Sequence, residues 1–258
     1  MNRRYEPELY DLVTPPSWFG DVEWYRKRAE DSGGPVLELG AGTGRITLPV
    51  AQSGVRIYAL DSDPGMLAAL TRKIAAEPKT VQERIVIVNE DMRRFRLTER
   101  FALVMAPFRS FLHNLTEEDQ LACLRSVREH LRQGGRFVFN VFHPSLEYMA
   151  QNTGATAGAW RWRDTVERPD GGAVVRSEAN RYDTVRQRVH SQHRYEEYGS
   201  DGTLRRTFLS RLELAYLYPG DIRRLLEHAG FQSVRIDGGF DGRPFERDAD
   251  ELVVDASV

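Results

Sequence analysis

The chain has 258 residues, with 36 lysines and arginines against 38 aspartates and glutamates, and a single cysteine. That length allows one large domain, or a domain with a sizeable insertion, and the near balance of charge provides no global field to recruit nucleic acid or an anionic membrane. Cys123 alone excludes an internal disulfide and a cysteine-based zinc cluster. No apolar run is long enough to span a bilayer and the first residues lack an apolar signal region, so a cytoplasmic protein is the expectation.

The first 31 residues read as helical, with Ser17 as a cap and Trp18, Val22, Tyr25 and Ala29 at helical spacing; Tyr5 and Tyr10 lie ahead of them. Gly33-Gly34-Pro35 leads into Val36-Leu-Glu-Leu39, a short apolar strand. Gly40, Gly42 and Gly44 follow at alternate positions, before Ile46, Leu48, Val50 and Ala51 in a helical pattern. Strand, glycine turn and helix start together make a nucleotide-type pocket, because glycine lets a ligand approach the main chain and the helix start offers N–H groups. The dinucleotide pattern G-x-G-x-x-G would need glycine at position 45, where Arg45 stands.

From Pro35 to His143 strands and helices alternate, as in a parallel sheet covered on both faces. Val55–Leu60 is the second strand, ended by Asp61; Asp63 caps the next helix, with Pro64 in its first turn and Met66, Leu67 and Leu70 on its apolar side. Arg84–Asn89 is the third strand, followed by Glu90, Asp91 and Met92, and Phe101–Met105 is the fourth, followed by Ala106-Pro107-Phe108-Arg109. Thr116 and Asp119 form a capping-box pattern ahead of a helix buried through Leu121, Leu124, Val127 and Leu131, which Gly134-Gly135 should stop. Arg136–Phe142 is the fifth strand and ends at His143-Pro144.

The glycine loop, Asp61 and the Asp91-Met92 pair together resemble class I S-adenosylmethionine (SAM)-dependent methyltransferases of the small-molecule type. The resemblance covers about residues 10–145 and 218–258. It implies a Rossmann-like, doubly wound, seven-stranded, mostly parallel sheet with SAM as the cofactor. Cofactor contacts then fall to Tyr10, Glu38, Gly40, Ala41, Gly42, Thr43, Gly44, Asp61, Ser62, Met66, Asp91, Met92 and Ala106. Asp61 takes the ribose hydroxyls and Asp91 the adenine amino group, with Met92 over the ring and Glu90 as a substitute for Asp91 one register away. An NAD site would also want an acid near Asp61, so an oxidoreductase stays open as an alternative, as does a SAM-binding partner protein without catalysis.

Ala106-Pro107-Phe108-Arg109 departs from the Asp/Asn-Pro-Pro-aromatic pattern of base-amine methyltransferases, which argues against nucleic acid. The aspartates of metal-assisted catechol enzymes are missing too, so no metal is expected. Phe108, Arg109, His113 and His143 approach the ligand edge, with His113 as a candidate base or else a packing or substrate hydrogen-bonding residue, Arg109 as the partner of a substrate carboxylate or of a salt bridge at the rim, and His143 as a second histidine.

Residues 151–218 interrupt the alternation with antiparallel strand patterns at Trp160–Trp162, Ala173–Val175, Tyr182–Tyr198 and Thr203–Leu217, turned at Gly171-Gly172 and Asp201-Gly202. The expected domains are therefore a core of 1–150 and 219–258 with an N-terminal helical cap, and an insertion of 151–218. An apolar face through Trp160, Trp162, Val175, Tyr182 and Tyr195 would make the insertion an acceptor lid or a homodimer contact. His190 and His193, three apart in a strand, face opposite ways and share no metal. A helix at Pro219–His228, stopped by Gly230, and strands at Ser233–Ile236 and Leu252–Val254 complete the sheet. The expected partner is a small-molecule methyl acceptor, methylated at N or O, with neither nucleic acid nor membrane.

Overall fold

The short apolar runs from Val36 to Phe142 that are bounded by glycine, proline or a capping residue have become neighbouring strands of one sheet. The computed structural model describes residues 5–15, 20–248 and 251–258, so the expected Ser17 cap and Trp18 lie outside the described residues. In chain order the elements are α1 (Pro7–Val13), α2 (Asp21–Asp31), β1 (Val36–Leu39), α3 (Thr47–Gln52), β2 (Ile57–Asp61), α4 (Pro64–Ala75), α5 (Lys79–Gln82), β3 (Ile85–Asn89) and β4 (Phe101–Ala106). A 3₁₀ turn at Ser110–His113 is followed by α6 (Glu117–His130), β5 (Leu131–Phe142), α7 (Leu146–Gln151), β6 (Arg161–Glu167), β7 (Ala173–Asp183), β8 (Arg188–Tyr198) and β9 (Leu204–Ala215). The chain closes with α8 (Pro219–His228), β10 (Ser233–Asp237) and β11 (Glu251–Ser257).

It divides into two compact units: one takes the chain up to Thr14 together with Pro144–Tyr216, the other Pro15–His143 and Leu217–Val258. The division differs from the expected one, because α1 goes with the insertion. Arg176 Nη1 donates to the Val13 carbonyl at 3.3 Å, and Arg206 Nη1 pairs with Glu6 at 2.6 Å.

The larger unit holds a seven-stranded sheet in the order β10-β11-β5-β4-β1-β2-β3, parallel except for β11, which runs antiparallel to both neighbours. Strand alternation sends neighbouring residues to opposite faces. On one face Val36, Ile57, Met105 and Val138 meet Tyr25 and Ala29 of α2 and Val50 and Ala51 of α3. On the other, Phe137 and Phe139 stack at 4.8 Å and meet Phe111 and Phe231. Asp63 caps α4 by accepting from Gly65 N and Met66 N, and Thr116 accepts from Asp119 N, as their positions predict. Cys123 is buried in α6, and that burial pushes its thiol up to about 12.

Helix α6 does not run to Gly134-Gly135; it ends at His130, and β5 begins at once at Leu131. The glycines lie within an irregular start of β5, where the register against β4 jumps from Phe101↔Leu131 to Leu103↔Arg136. A side chain at Gly135 would meet the Arg132 and Phe101 carbonyls at 2.9 and 3.1 Å, so main-chain crowding requires glycine there.

The smaller unit carries the antiparallel sheet β6-β7-β8-β9. The expected run Tyr182–Tyr198 is two strands: β7 continues to Asp183, whose Oδ1 accepts from Val185 N and Arg186 N to close a third hairpin. Trp160 and Trp162 do not belong to a packed apolar face, being 41% and 69% exposed. Trp162 lies on β6, an edge strand with a neighbour on one side only, and Trp160 lies just before that strand; beyond them a bulge makes Arg163 an extra residue, because Trp162 pairs with Ser177 but Asp164 with Arg176. Among the described residues, no helix is long and apolar enough to cross a membrane.

Candidate active site

The carboxyl ends of the parallel strands converge on one edge, where ligands bind in open α/β sheets. At the end of β1, Gly40 N and Ala41 N both donate to the Leu60 carbonyl, at 2.8 and 3.0 Å, which fastens the glycine loop to β2. Gly40, Gly42 and Gly44 have φ of 74°, 56° and 89°. A side chain at Gly40 would lie 2.6 Å from Ser110 Oγ, and one at Gly44 would lie 2.4 Å from Leu70 Cδ1. Both positions therefore need glycine for space as well as for backbone conformation. Ala41 and Thr43 are buried within the loop.

Glu38, the acid before the glycines, is buried, and its Oε2 accepts from the Thr47 hydroxyl at 2.5 Å. This bond ties β1 to the first residue of α3. Burial pushes the Glu38 carboxyl up to about 8, against the opposing effects of Thr47 and Arg45.

Asp61 ends β2 beside the loop. Its Oδ2 accepts from Gly42 N and its Oδ1 from Asp63 N, both at 2.8 Å. Burial raises its pKa while these N–H groups hold it down. Ser62 is exposed, whereas Met66 is buried with its methyl against Gly42. After β3, Asp91 is held by Arg93, which keeps its carboxyl below the ordinary range and also reaches Asp119 at 2.9 Å. Glu90 is exposed. The Met92 thioether accepts from Asn114 Nδ2 at 3.4 Å and its methyl approaches Gly40.

The fourth corner is the turn after β4. Ala106 and Pro107 are buried; Phe108 and Arg109 then adopt φ of 52° and 68°, two consecutive left-handed residues without a glycine. Phe108 N donates to Asn140 Oδ1 at 2.8 Å, and the same oxygen takes the Tyr25 hydroxyl at 2.8 Å. Asn140 Nδ2 donates to Glu251 Oε1 at 2.7 Å, and Glu251 takes Arg109 through Nε at 3.1 Å and Nη2 at 2.7 Å. Arg109 is thus engaged by a residue of its own chain. Arg45, at the position where an NAD loop would carry glycine, forms a buried pair with Asp21 and lies over the Phe108 ring at 4.7 Å.

His113 is half-buried at the end of the 3₁₀ turn. His143 meets the Asp248 carbonyl through Nδ1 at 2.9 Å, with Phe245 and Tyr218 rings beside it. Tyr10 lies on α1 in the other compact unit, edge-on to Tyr5 at 5.6 Å. Sequence reasoning missed Ser110, Asn114, Asn140 and Glu251. The one available signal was Asn140, a polar residue inside the apolar run Phe137–Phe142.

The residues fit an adenosyl cofactor: glycines with no room for side chains, a carboxylate at the end of β2 and a thioether next to the loop. A family model described as "Methyltransferase domain" matches residues 36–135, the segment from β1 into the start of β5. The CcbJ methyltransferase of Streptomyces caelestis superposes with a TM-score of 0.77 at 28% identity, covering 95% of this chain and 97% of that one. The chain is a SAM-dependent methyltransferase.

The cypemycin N-terminal methyltransferase of a Streptomyces species is similar to this methyltransferase at 26% identity over 249 residues, 96% of this chain and 93% of the relative. The glycopeptide N-methyltransferase MtfA, solved with SAM, gives a TM-score of 0.57 at 27% identity, over 93% of this chain and 95% of that one. SAM is the cofactor, and the NAD reading is set aside.

Proposed function

We propose that this methyltransferase places its methyl group on a nitrogen of a small amine-bearing acceptor. The observation that supports the choice of nitrogen is that, of two enzymes similar over more than nine-tenths of this chain, MtfA is named an N-methyltransferase and the cypemycin enzyme an N-terminal methyltransferase, an N-terminus being an amine. When bound, SAM supplies a methyl group on a sulfonium, already a good leaving group. The chain has to hold the acceptor in line and exclude water. Gly40, Gly42, Gly44, Asp61, Asp91 and Met92 are assigned to the cofactor. An amine that arrives protonated must lose a proton, and His113 is the assigned base, because neutral imidazole takes a proton near neutral pH. His143, bound to Asp248, is assigned to structure, and Arg109 to the turn that it shares with Glu251.

The insertion is proposed as a lid for the acceptor, on connectivity alone: it leaves the sheet directly after β5, at the ligand edge. A homodimer contact through the same segment, a cytoplasmic location and the exclusion of nucleic acid belong to this proposal. The balanced charge and the Ala106-Pro107-Phe108-Arg109 sequence support that exclusion. The test is transfer of label from methyl-labelled SAM to glucosamine, to the tripeptide Ala-Ser-Gly, to its N-acetylated form and to catechol. The proposal expects label on an amine and none on the acetylated peptide. Label on catechol alone would contradict it.

A further inference from the structure

The turn Pro107–Ser110 has the two consecutive positive φ values of a turn that normally carries Asn-Gly, yet its central residues are Phe108 and Arg109. Such conformations persist only where the surroundings enforce them, and they gather at functional sites. Here the enforcement traces to one side chain. Asn140, fully buried on β5, accepts from Phe108 N and the Tyr25 hydroxyl through Oδ1. Through Nδ2 it orients Glu251, which grips Arg109. A backbone N–H can only donate and a carboxylate only accept, so the Phe108 N–H and the Glu251 carboxylate orient the amide, and the Tyr25 hydroxyl gives its proton to the same oxygen. This identifies the oxygen as the atom facing Tyr25 and Phe108, and leaves the amide nitrogen for the Glu251 carboxylate.

The turn reaches both sides of the cofactor residues. Ser110 fills the space beside Gly40, and Asn114, just past the 3₁₀ turn, donates to the Met92 sulfur. His113 lies between those two contacts in sequence. We propose that Asn140 is a positioning residue for methyl transfer: by fixing the strained turn it sets where the His113 segment stands against the glycine loop. Its consequence for catalysis rests on the amine-methylation reading above, whereas its hold on the turn does not.

The two halves of the amide make the test specific. Asn140→Asp keeps an oxygen for Phe108 N and Tyr25 but opposes Glu251; Asn140→Ala loses everything. Native-state amide exchange, read in the full chain with bound S-adenosylhomocysteine, should show Phe108 N–H exchanging at least about tenfold faster in Asn140→Ala and near the wild-type rate in Asn140→Asp. The β1 and β2 amides should hold in both, and S-adenosylhomocysteine affinity should stay within about threefold. Turnover with glucosamine or Ala-Ser-Gly, whichever accepts methyl, should fall about tenfold or more in kcat for Asn140→Ala with a smaller change in the KM for SAM.

Unchanged Phe108 exchange in Asn140→Ala overturns the proposal. So does Asn140→Asp behaving like Asn140→Ala, or a general rise in exchange across β4 and β5 with loss of S-adenosylhomocysteine binding. If neither acceptor is methylated, the amine reading fails, and the exchange pattern still decides whether Asn140 holds the turn.

Discussion

The glycine loop at Gly40–Gly44 and the turn at Pro107–Ser110 solve the same backbone problem in opposite ways. Both follow parallel strands at the ligand edge and both require positive φ. The loop meets the requirement residue by residue, with glycine wherever a side chain would clash or strain. The turn uses Phe108 and Arg109 and relies on Asn140, Tyr25 and Glu251, residues 32 to 142 positions away or more than 80 positions upstream. A conformation built into local composition survives the loss of any one neighbour. One imposed by a polar network depends on the side chain at its centre, here Asn140. The loop should therefore govern cofactor affinity and the turn the chemical step.

The largest effect that would sharpen this contrast is expected at His113. His113→Ala should lower kcat by roughly 10²–10⁴-fold with S-adenosylhomocysteine affinity almost unchanged, read by single-turnover kinetics beside calorimetry. Normal turnover would return His113 to packing and make His143 the next candidate.

Gly40→Ala should do the reverse. Its φ of 74° and the contact with Ser110 impose strain of about 1–3 kcal/mol, so S-adenosylhomocysteine binding should weaken by about ten- to a hundredfold. Full affinity in this variant would break the comparison. Asp61→Ala leaves Gly42 N and Asp63 N without their acceptor and removes the carboxylate assigned to ribose. A loss of about 1–3 kcal/mol in cofactor binding is expected from titration.

The smallest effect is on pH dependence. Glu38 is raised from its ordinary 4.5 to about 8, so between those values the folded chain holds a proton that the unfolded chain releases. Stability linked to Glu38 is therefore full below pH 4.5, declines as the pH rises toward 8 and is flat above. Glu38→Gln should flatten the fall in melting temperature between pH 5 and 8. An unchanged slope would mean that the buried carboxyl titrates elsewhere.

The same contrast explains what could be read from the sequence. The glycine loop, the Asp63 and Thr116 caps and α8 with its Gly230 stop are set by residues within a few positions of each other, and periodicity and capping rules find them. The Asn140–Glu251–Arg109 network joins β5, β11 and the turn after β4, and no local pattern announces it. Arg109 read as the partner of a substrate carboxylate or of a salt bridge at the rim, and the sequence could not name Glu251 because it lies 142 residues on. Trp160 and Trp162 read as part of an apolar face because alternate aromatics mark one side of a strand, whereas that strand's place at the edge of its sheet appears only in the pairing. The Gly134-Gly135 pair read as a helix stop because glycine marks breaks, whereas here it admits two carbonyls at the irregular start of β5.

The most direct measurement of the central claim, that Gly40–Gly44, Asp61 and Met92 seat an adenosyl sulfur cofactor, is calorimetric titration of the wild-type chain with S-adenosylhomocysteine and, in parallel, with NAD. The account predicts saturable one-to-one binding of S-adenosylhomocysteine and no saturable heat with NAD. NAD binding more tightly than S-adenosylhomocysteine would contradict it.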